Sequence, residues 1–129
     1  MSVIPFAQVN YRECNNELKV IVRFEGTPTD SELDQYLNEV NDIYEQNKPF
    51  YILYDATNIG MLTPPQILRQ VHFMRNRDLD SRRLIKKCAI VISSMFARNA
   101  LDGIFRLKPP ACPVGIFSSE KEAKDYLRS

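Results

Sequence analysis

The stretch that most constrains the fold runs from Phe50 to Gln70, FYILYDATNIGMLTPPQILRQ. Phe50, Ile52 and Tyr54 point to one side of an extended chain while Tyr51 and Leu53 point to the other, so both faces are apolar. Such a strand belongs in the interior of a sheet covered on both sides, as parallel strands of α/β folds are. Asp55 marks its carboxyl end. After a polar loop, Thr63-Pro64-Pro65-Gln66 reads as a helix start, with threonine at the N-cap, proline at the first helical position and Gln66 able to reach back in a capping box. Strand, loop and helix in that order form the junction at which α/β sheets carry their sites.

The neighbouring segments extend this pattern. Val3 to Tyr11 and Leu18 to Glu25 flank Glu13-Cys14-Asn15-Asn16, a polar turn short enough for an antiparallel hairpin. In the second of these strands Leu18, Val20, Val22 and Phe24 share one face, and Lys19, Ile21, Arg23 and Glu25 share the other, less covered face. Thr29 and Glu32 form a capping box for a helix reaching about Gln46, with Leu33, Tyr36, Leu37, Val40, Ile43 and Tyr44 as its apolar stripe. The next helix, Pro64 to about Asn76, is expected to bury Ile67, Leu68, Val71 and Met74. Cys88 to Ile92, within a strand from Lys86 to Ser93, is again apolar on both faces and therefore central. Ser93 or Ser94 caps a third helix with Ala97, Ala100, Leu101, Ile104 and Leu107 inside. Pro113 to Phe117 is a short fifth strand, and Ser119 with Glu122 caps a last helix. The order β-β-α-β-α-β-α-β-α predicts a mixed five-stranded sheet with four helices, its first strand antiparallel at or near an edge.

With 129 residues the chain is expected to be a single domain, residues 1–129, with a core large enough to need no staples. A formal charge of +1 gives no general pull towards nucleic acid, so any electrostatic role is local. MSVIPFAQVNYRE has neither a basic leader nor a sustained apolar run, which predicts a cytoplasmic protein without a transmembrane segment. Cys14, Cys88 and Cys112 lack metal-type spacing and read as reduced, structural thiols. His72 is the sole histidine, on the flank of the second helix's stripe. No Ser-His-Asp, Cys-His or clustered-carboxylate set stands out, so no catalytic residue, metal or cofactor is expected and the chain reads as a non-enzyme.

The carboxyl half, KKCAIVISSMFARNALDGIFRLKPPACPVGIFSSEKEAKDYL, resembles the end of SpoIIAA-like, STAS-type single-domain proteins. In these a basic lead-in, an apolar strand, a helix, a short strand and a final helix with an "EA..(aromatic)L" pattern recur. The element order of nearly the whole chain is similar to the SpoIIAA-like fold. That resemblance implies a non-enzymatic regulatory or protein-interaction module. Family members that antagonise anti-sigma factors carry a phosphorylated serine in an Asp-Ser-Ser-Gly type motif at the helix start after the third strand. The matching place here reads Gly60-Met61-Leu62-Thr63-Pro64-Pro65, without the Asp-Ser pair, and Thr63 is the hydroxyl that remains. A related architecture, the CRAL-TRIO lipid-exchange domain, implies the alternative of a carrier or sensor for a small apolar or amphipathic ligand on the less covered sheet face.

Two surfaces are candidates. Parallel strands place their following loops, and helix amide groups, at the carboxyl edge of the sheet, so a ligand or phosphate site is expected near Asp55, Thr57, Thr63, Ser93 and Ser94. Arg69, Phe73 and Arg77, four residues apart, line one face of the second helix opposite its stripe and are expected to form a partner surface, for another protein or a second copy in a homodimer. The basic run Arg69, Arg75, Arg77, Arg82, Arg83, Lys86 and Lys87 is the strongest local charge feature, and the acidic first helix is one surface it could meet.

Overall fold

The structure is a computed structural model that describes residues 5–129. Its five strands, β1 (Ala7–Cys14), β2 (Glu17–Gly26), β3 (Phe50–Ile59), β4 (Ile85–Val91) and β5 (Val114–Phe117), form one sheet in chain order β1-β2-β3-β4-β5. β1 runs antiparallel to β2, and the other three pairings are parallel. Both doubly apolar strands, β3 and β4, are interior, and β1 is an edge, as the side-chain pattern requires. Val3 and Ile4 of the expected first strand lie outside the described residues. The β1–β2 hairpin closes through Asn15 and Asn16 at φ 55° and 62°. Asparagine tolerates this left-handed conformation, and a two-residue turn of that hand matches the twist of paired strands.

Five helices occur among the described residues, rather than the four expected: α1 (Asp30–Glu45), α2 (Pro64–Asn76), α3 (Asp78–Leu84), α4 (Met95–Leu107) and α5 (Glu120–Arg128). The additional one, α3, was hidden in the charge run. Asp78 and Asp80 occupy its first turn and Arg82 and Arg83 its last, an arrangement favoured by the helix dipole. The capping boxes form as expected: Thr29 with Glu32, and Thr63 with Gln66, where the Gln66 amide donates to Thr63 Oγ1 at 3.3 Å and the Thr63 amide donates to Gln66 Oε1 at 2.9 Å. Ser94, not Ser93, caps α4 by accepting from the Ala97 amide.

One face of the sheet is covered by α1 and α4, with α2 beside them. Leu18, Val20, Val22, Phe50, Ile52 and Ile90 from the strands pack there against Leu33, Tyr36, Val40, Ile43, Ala97 and Ile104. The opposite face carries α5, whose Ala123 is buried against Leu53, Ala89 and Val91. Two expectations are corrected. β3 does not end at Asp55 but continues to Ile59, because its pairing with β2 resumes beyond an irregularity between Arg23 and Glu25. In α2, Leu68 is 57% exposed whereas Gln66 is buried. Gln66 Nε2 donates to Pro28 O and to Asp30 Oδ1, each at 3.1 Å, which fixes the roll of α2 beside the start of α1.

Candidate functional site

At the carboxyl edge, Asp55 Oδ1 accepts from the Thr57 amide at 3.1 Å and from the Thr57 hydroxyl at 2.7 Å, while Asp55 Oδ2 accepts from Arg23 at 2.8 Å. Burial pushes the Asp55 carboxyl up, but the hydrogen bonds from Thr57 and Arg23 outweigh it and the net shift is down. Arg23 also reaches Glu120 at 2.7 Å, linking β2, β3 and the first turn of α5, and this pairing raises its pKa. Ser93 donates to Thr57 O at 3.3 Å. Asp55, Thr57 and Ser93 are therefore brought together, whereas Thr63 and Ser94 cap separate helices.

The Arg69, Phe73 and Arg77 row does not face outward, which corrects the expected helix phase. Arg69 pairs with Asp34 at 3.0 Å, Phe73 packs on the core with its ring 6.2 Å from that of Tyr44, and Arg77 binds Asn41, Glu45 and Asp80. The surface that this row meets is α1 of the same chain. The rest of the basic run is largely neutralised in the same way: Arg82 pairs with Asp78, Arg83 with Asp80 and Lys86 with Glu17. His72 is exposed.

A cavity of about 180 Å³ lies between the sheet and the helices on the α1 and α4 side. Phe24, Tyr54, Ile90, Leu101, Phe105 and Cys88 are among its walls, and none of Asp55, Thr57, Thr63, Ser93 and Ser94 lines it. It sits on the more covered face of the sheet, not the less covered face expected for an apolar ligand. Its polar wall groups are engaged or neutral. Tyr44 shares a hydrogen bond of 2.8 Å with Ser81, and burial pushes its hydroxyl up to about 12. Lys108 pairs with Asp78 at 2.6 Å and donates to Pro109 O at 2.7 Å. Burial raises the Cys112 thiol to about 11, against the neighbouring Lys108, and burial raises the Cys88 thiol as well.

Sequence reasoning missed three side chains at the carboxyl edge. Met61, in the loop after β3, is 63% exposed, and Met95 and Phe96, which open α4 after β4, are 73% and 71% exposed. β3 and β4 are parallel neighbours, so all three stand at one end of the sheet. The available signal was positional: Met95 and Phe96 precede Ala97, where the inner stripe of α4 begins.

No helix among the described residues is long and apolar enough to cross a membrane. None of the curated proteins matches this chain. Among solved structures, an uncharacterised DUF3478 protein with a SpoIIAA-like fold from Shewanella loihica PV-4 superposes with a TM-score of 0.70 at 15% identity, covering 98% of each chain. An anti-sigma factor antagonist from Mycobacterium paratuberculosis gives 0.60 at 11% identity over 100% of each chain. The anti-sigma factor antagonist SpoIIAA in its unphosphorylated form gives 0.56 at 14% identity, covering 94% of this chain and 96% of its own. These likenesses agree in fold, and the sequence profile described as SpoIIAA-like matches residues 20–128: the chain belongs to the SpoIIAA-like family.

Proposed function

We propose that this protein is a non-enzymatic regulatory module that works by contact with another protein through the carboxyl edge of its sheet. The observation that carries this reading is the exposure of Met61, Met95 and Phe96 at that edge. A large apolar side chain left in water gives up roughly 1.5–3 kcal/mol of burial. Three at one sheet end, flanked by the polar Asp55, Thr57 and Ser93 group, have the make-up of a contact patch with a polar rim. Two structural neighbours are described as anti-sigma factor antagonists, which is in keeping with such a role. Thr63 is exposed at the same edge, and a phosphate on it would sit against the positive end of α2. The test is a photo-crosslinking residue placed at Phe96 and, as a control, at the exposed Lys121 in α5, in cells that make the protein. A discrete adduct from position 96 alone supports the reading, and adducts from position 121 alone overturn it.

The cavity favours a second reading, a carrier or sensor of a small apolar ligand. A dry apolar cavity of roughly 150 Å³ holds a molecule of benzene size, so the space here suits a compact ligand. Native mass spectrometry of protein purified from cells checks it: a bound mass lost in a variant with Ala100→Phe, which fills the wall, is the expected result. Protein that carries no small molecule and gains stability from Ala100→Phe sinks the reading.

A further inference from the structure

Outside the basic run of the sequence, a group of cations without close acidic partners stands on the back of the sheet. There, α5 covers β3 to β5 and leaves the outer side of β1 and β2 open, as a trough between the strands and α5. Strand register builds it in rows. Arg12 lies opposite Lys19, and Lys19 opposite Tyr51; in the next row Asn10 lies opposite Ile21, and Ile21 opposite Leu53. One rim therefore carries Arg12 and Lys19, neither of which has an ion-pair partner among the described residues. The other carries Lys124 and Arg128 of α5, whose acidic partners stand at 4.0 and 3.9 Å. The one acidic lining residue, Glu17, is committed to Lys86. The floor between the rims is apolar, with Ile21, Leu53 and Leu127.

We propose that this trough docks an acidic, extended segment of another protein, one that alternates carboxylate and apolar side chains. The segment's carboxylates would meet the two cationic rims and its apolar side chains the floor. An extended chain places side chains alternately, and β1, as an edge strand, offers unpaired backbone groups beside the trough. A flexible nucleic acid strand fits less well, because the floor between the rims is mainly aliphatic, with Ile21, Leu53 and Leu127, and Lys86 lies over the Tyr51 ring at 5.9 Å. This surface is on the opposite side of the sheet from the apolar cavity and is independent of Met61, Met95 and Phe96. Its failure would therefore leave the carboxyl-edge reading standing.

The test uses the full chain and a short fluorescent peptide alternating Glu and Phe, read by anisotropy at low and moderate salt. Binding should weaken by roughly tenfold or more in the exposed double variant Arg12→Glu, Lys19→Glu, and should fall with salt. The double variant Arg98→Glu, Arg106→Glu, at exposed cations of α4, changes the net charge by the same amount and should leave binding nearly unchanged. A peptide with Gln in place of Glu should bind weakly. Amide shifts of ¹H–¹⁵N spectra on titration should concentrate on β1, β2 and α5, and unchanged dispersion in the variant at Arg12 and Lys19 confirms that it is folded. The proposal is overturned if the α4 double variant weakens binding as much as the variant at Arg12 and Lys19, or if a single-stranded oligonucleotide of equal charge binds more tightly than the peptide. It is also overturned if the shifts map to the carboxyl edge, or if the peptide does not bind at all.

Discussion

Gln66 is the buried polar side chain among the described residues, and its partners explain why it is tolerated. Its carbonyl oxygen serves the Thr63 amide and its amino group serves Pro28 O and Asp30 Oδ1, so it ties the start of α2 to the start of α1. Gln66→Ala leaves a buried carbonyl without a donor and should cost about 1–3 kcal/mol, read as a lowered urea midpoint with an unchanged slope. Gln66→Met, which fills the space but lacks the donors, should recover little of the loss. Phe73 is the second residue to test. The sequence pattern, taking Leu68 as core, places Phe73 outside and predicts that its truncation leaves stability nearly unchanged. The ring instead packs on the core beside Tyr44, so Phe73→Ala should destabilise by about 2–4 kcal/mol. A thermal midpoint equal to that of the unmodified chain would restore the outward placement.

Where α1, α2 and α3 meet, Arg77 holds the elements together. It closes α2, opens α3, donates to Asn41 and Asp80, pairs with Glu45 and lies over the Tyr44 ring at 5.2 Å. Its side chain is largely covered, and hydrogen bonds to charged groups in such settings contribute about 1.5–3 kcal/mol, so Arg77→Ala should lower the urea midpoint clearly. Arg82→Ala removes an exposed pair with Asp78 within α3 and should cost no more than about 0.5 kcal/mol. Equal losses would show that the Arg77 contacts do not join the helices. These elements also show which parts of the fold were legible in the sequence. Doubly apolar strands and capping boxes are local signals, and β3, β4, α1 and α2 followed from them. The roll of α2 was not legible, because it is set by Gln66 and Arg77 reaching groups more than thirty residues away. α3 is not legible because a seven-residue run with two acids followed by two arginines looks the same in a solvated loop and in a short helix.

Across the whole molecule, the same locality separates the site residues that could be foreseen from those that could not. Asp55, Thr57 and Ser93 meet because parallel strands align their carboxyl ends, a rule the sequence order already implies. The cationic trough assembles from β1, β2 and α5, and the cavity from most of the chain, so neither leaves a contiguous mark. The cavity wall also sets how stability responds to alkali. Burial raises the Cys112 thiol from 9.0 to about 11, and raises the Tyr44 hydroxyl from 10.0 to about 12 despite its bond to Ser81. A raised folded-state pKa means that, between the unfolded and folded values, the folded protein holds a proton that the unfolded chain has released. Stability is then full below the unfolded value and is lost as pH rises through the folded one, from 9.0 to about 11 for Cys112 and from 10.0 to about 12 for Tyr44. A tenfold difference in proton affinity between the two states corresponds to about 1.4 kcal/mol, so the urea midpoint should be level near pH 8 and distinctly lower near about pH 10.5. Asp55 acts in the opposite sense, its lowered pKa giving stability that is lost as pH falls through the folded value. Cys112→Ala removes one of two buried thiols and should make the fall shallower with the onset unmoved, because burial raises Cys88 from the same 9.0; the double variant Cys88→Ala, Cys112→Ala should delay the fall until Tyr44 ionises in the unfolded chain. A decline with the same onset in the double variant would place the responsible proton on another group, and a midpoint of the unmodified chain that stays level across this range would show that the cavity wall admits charge or water in the folded state.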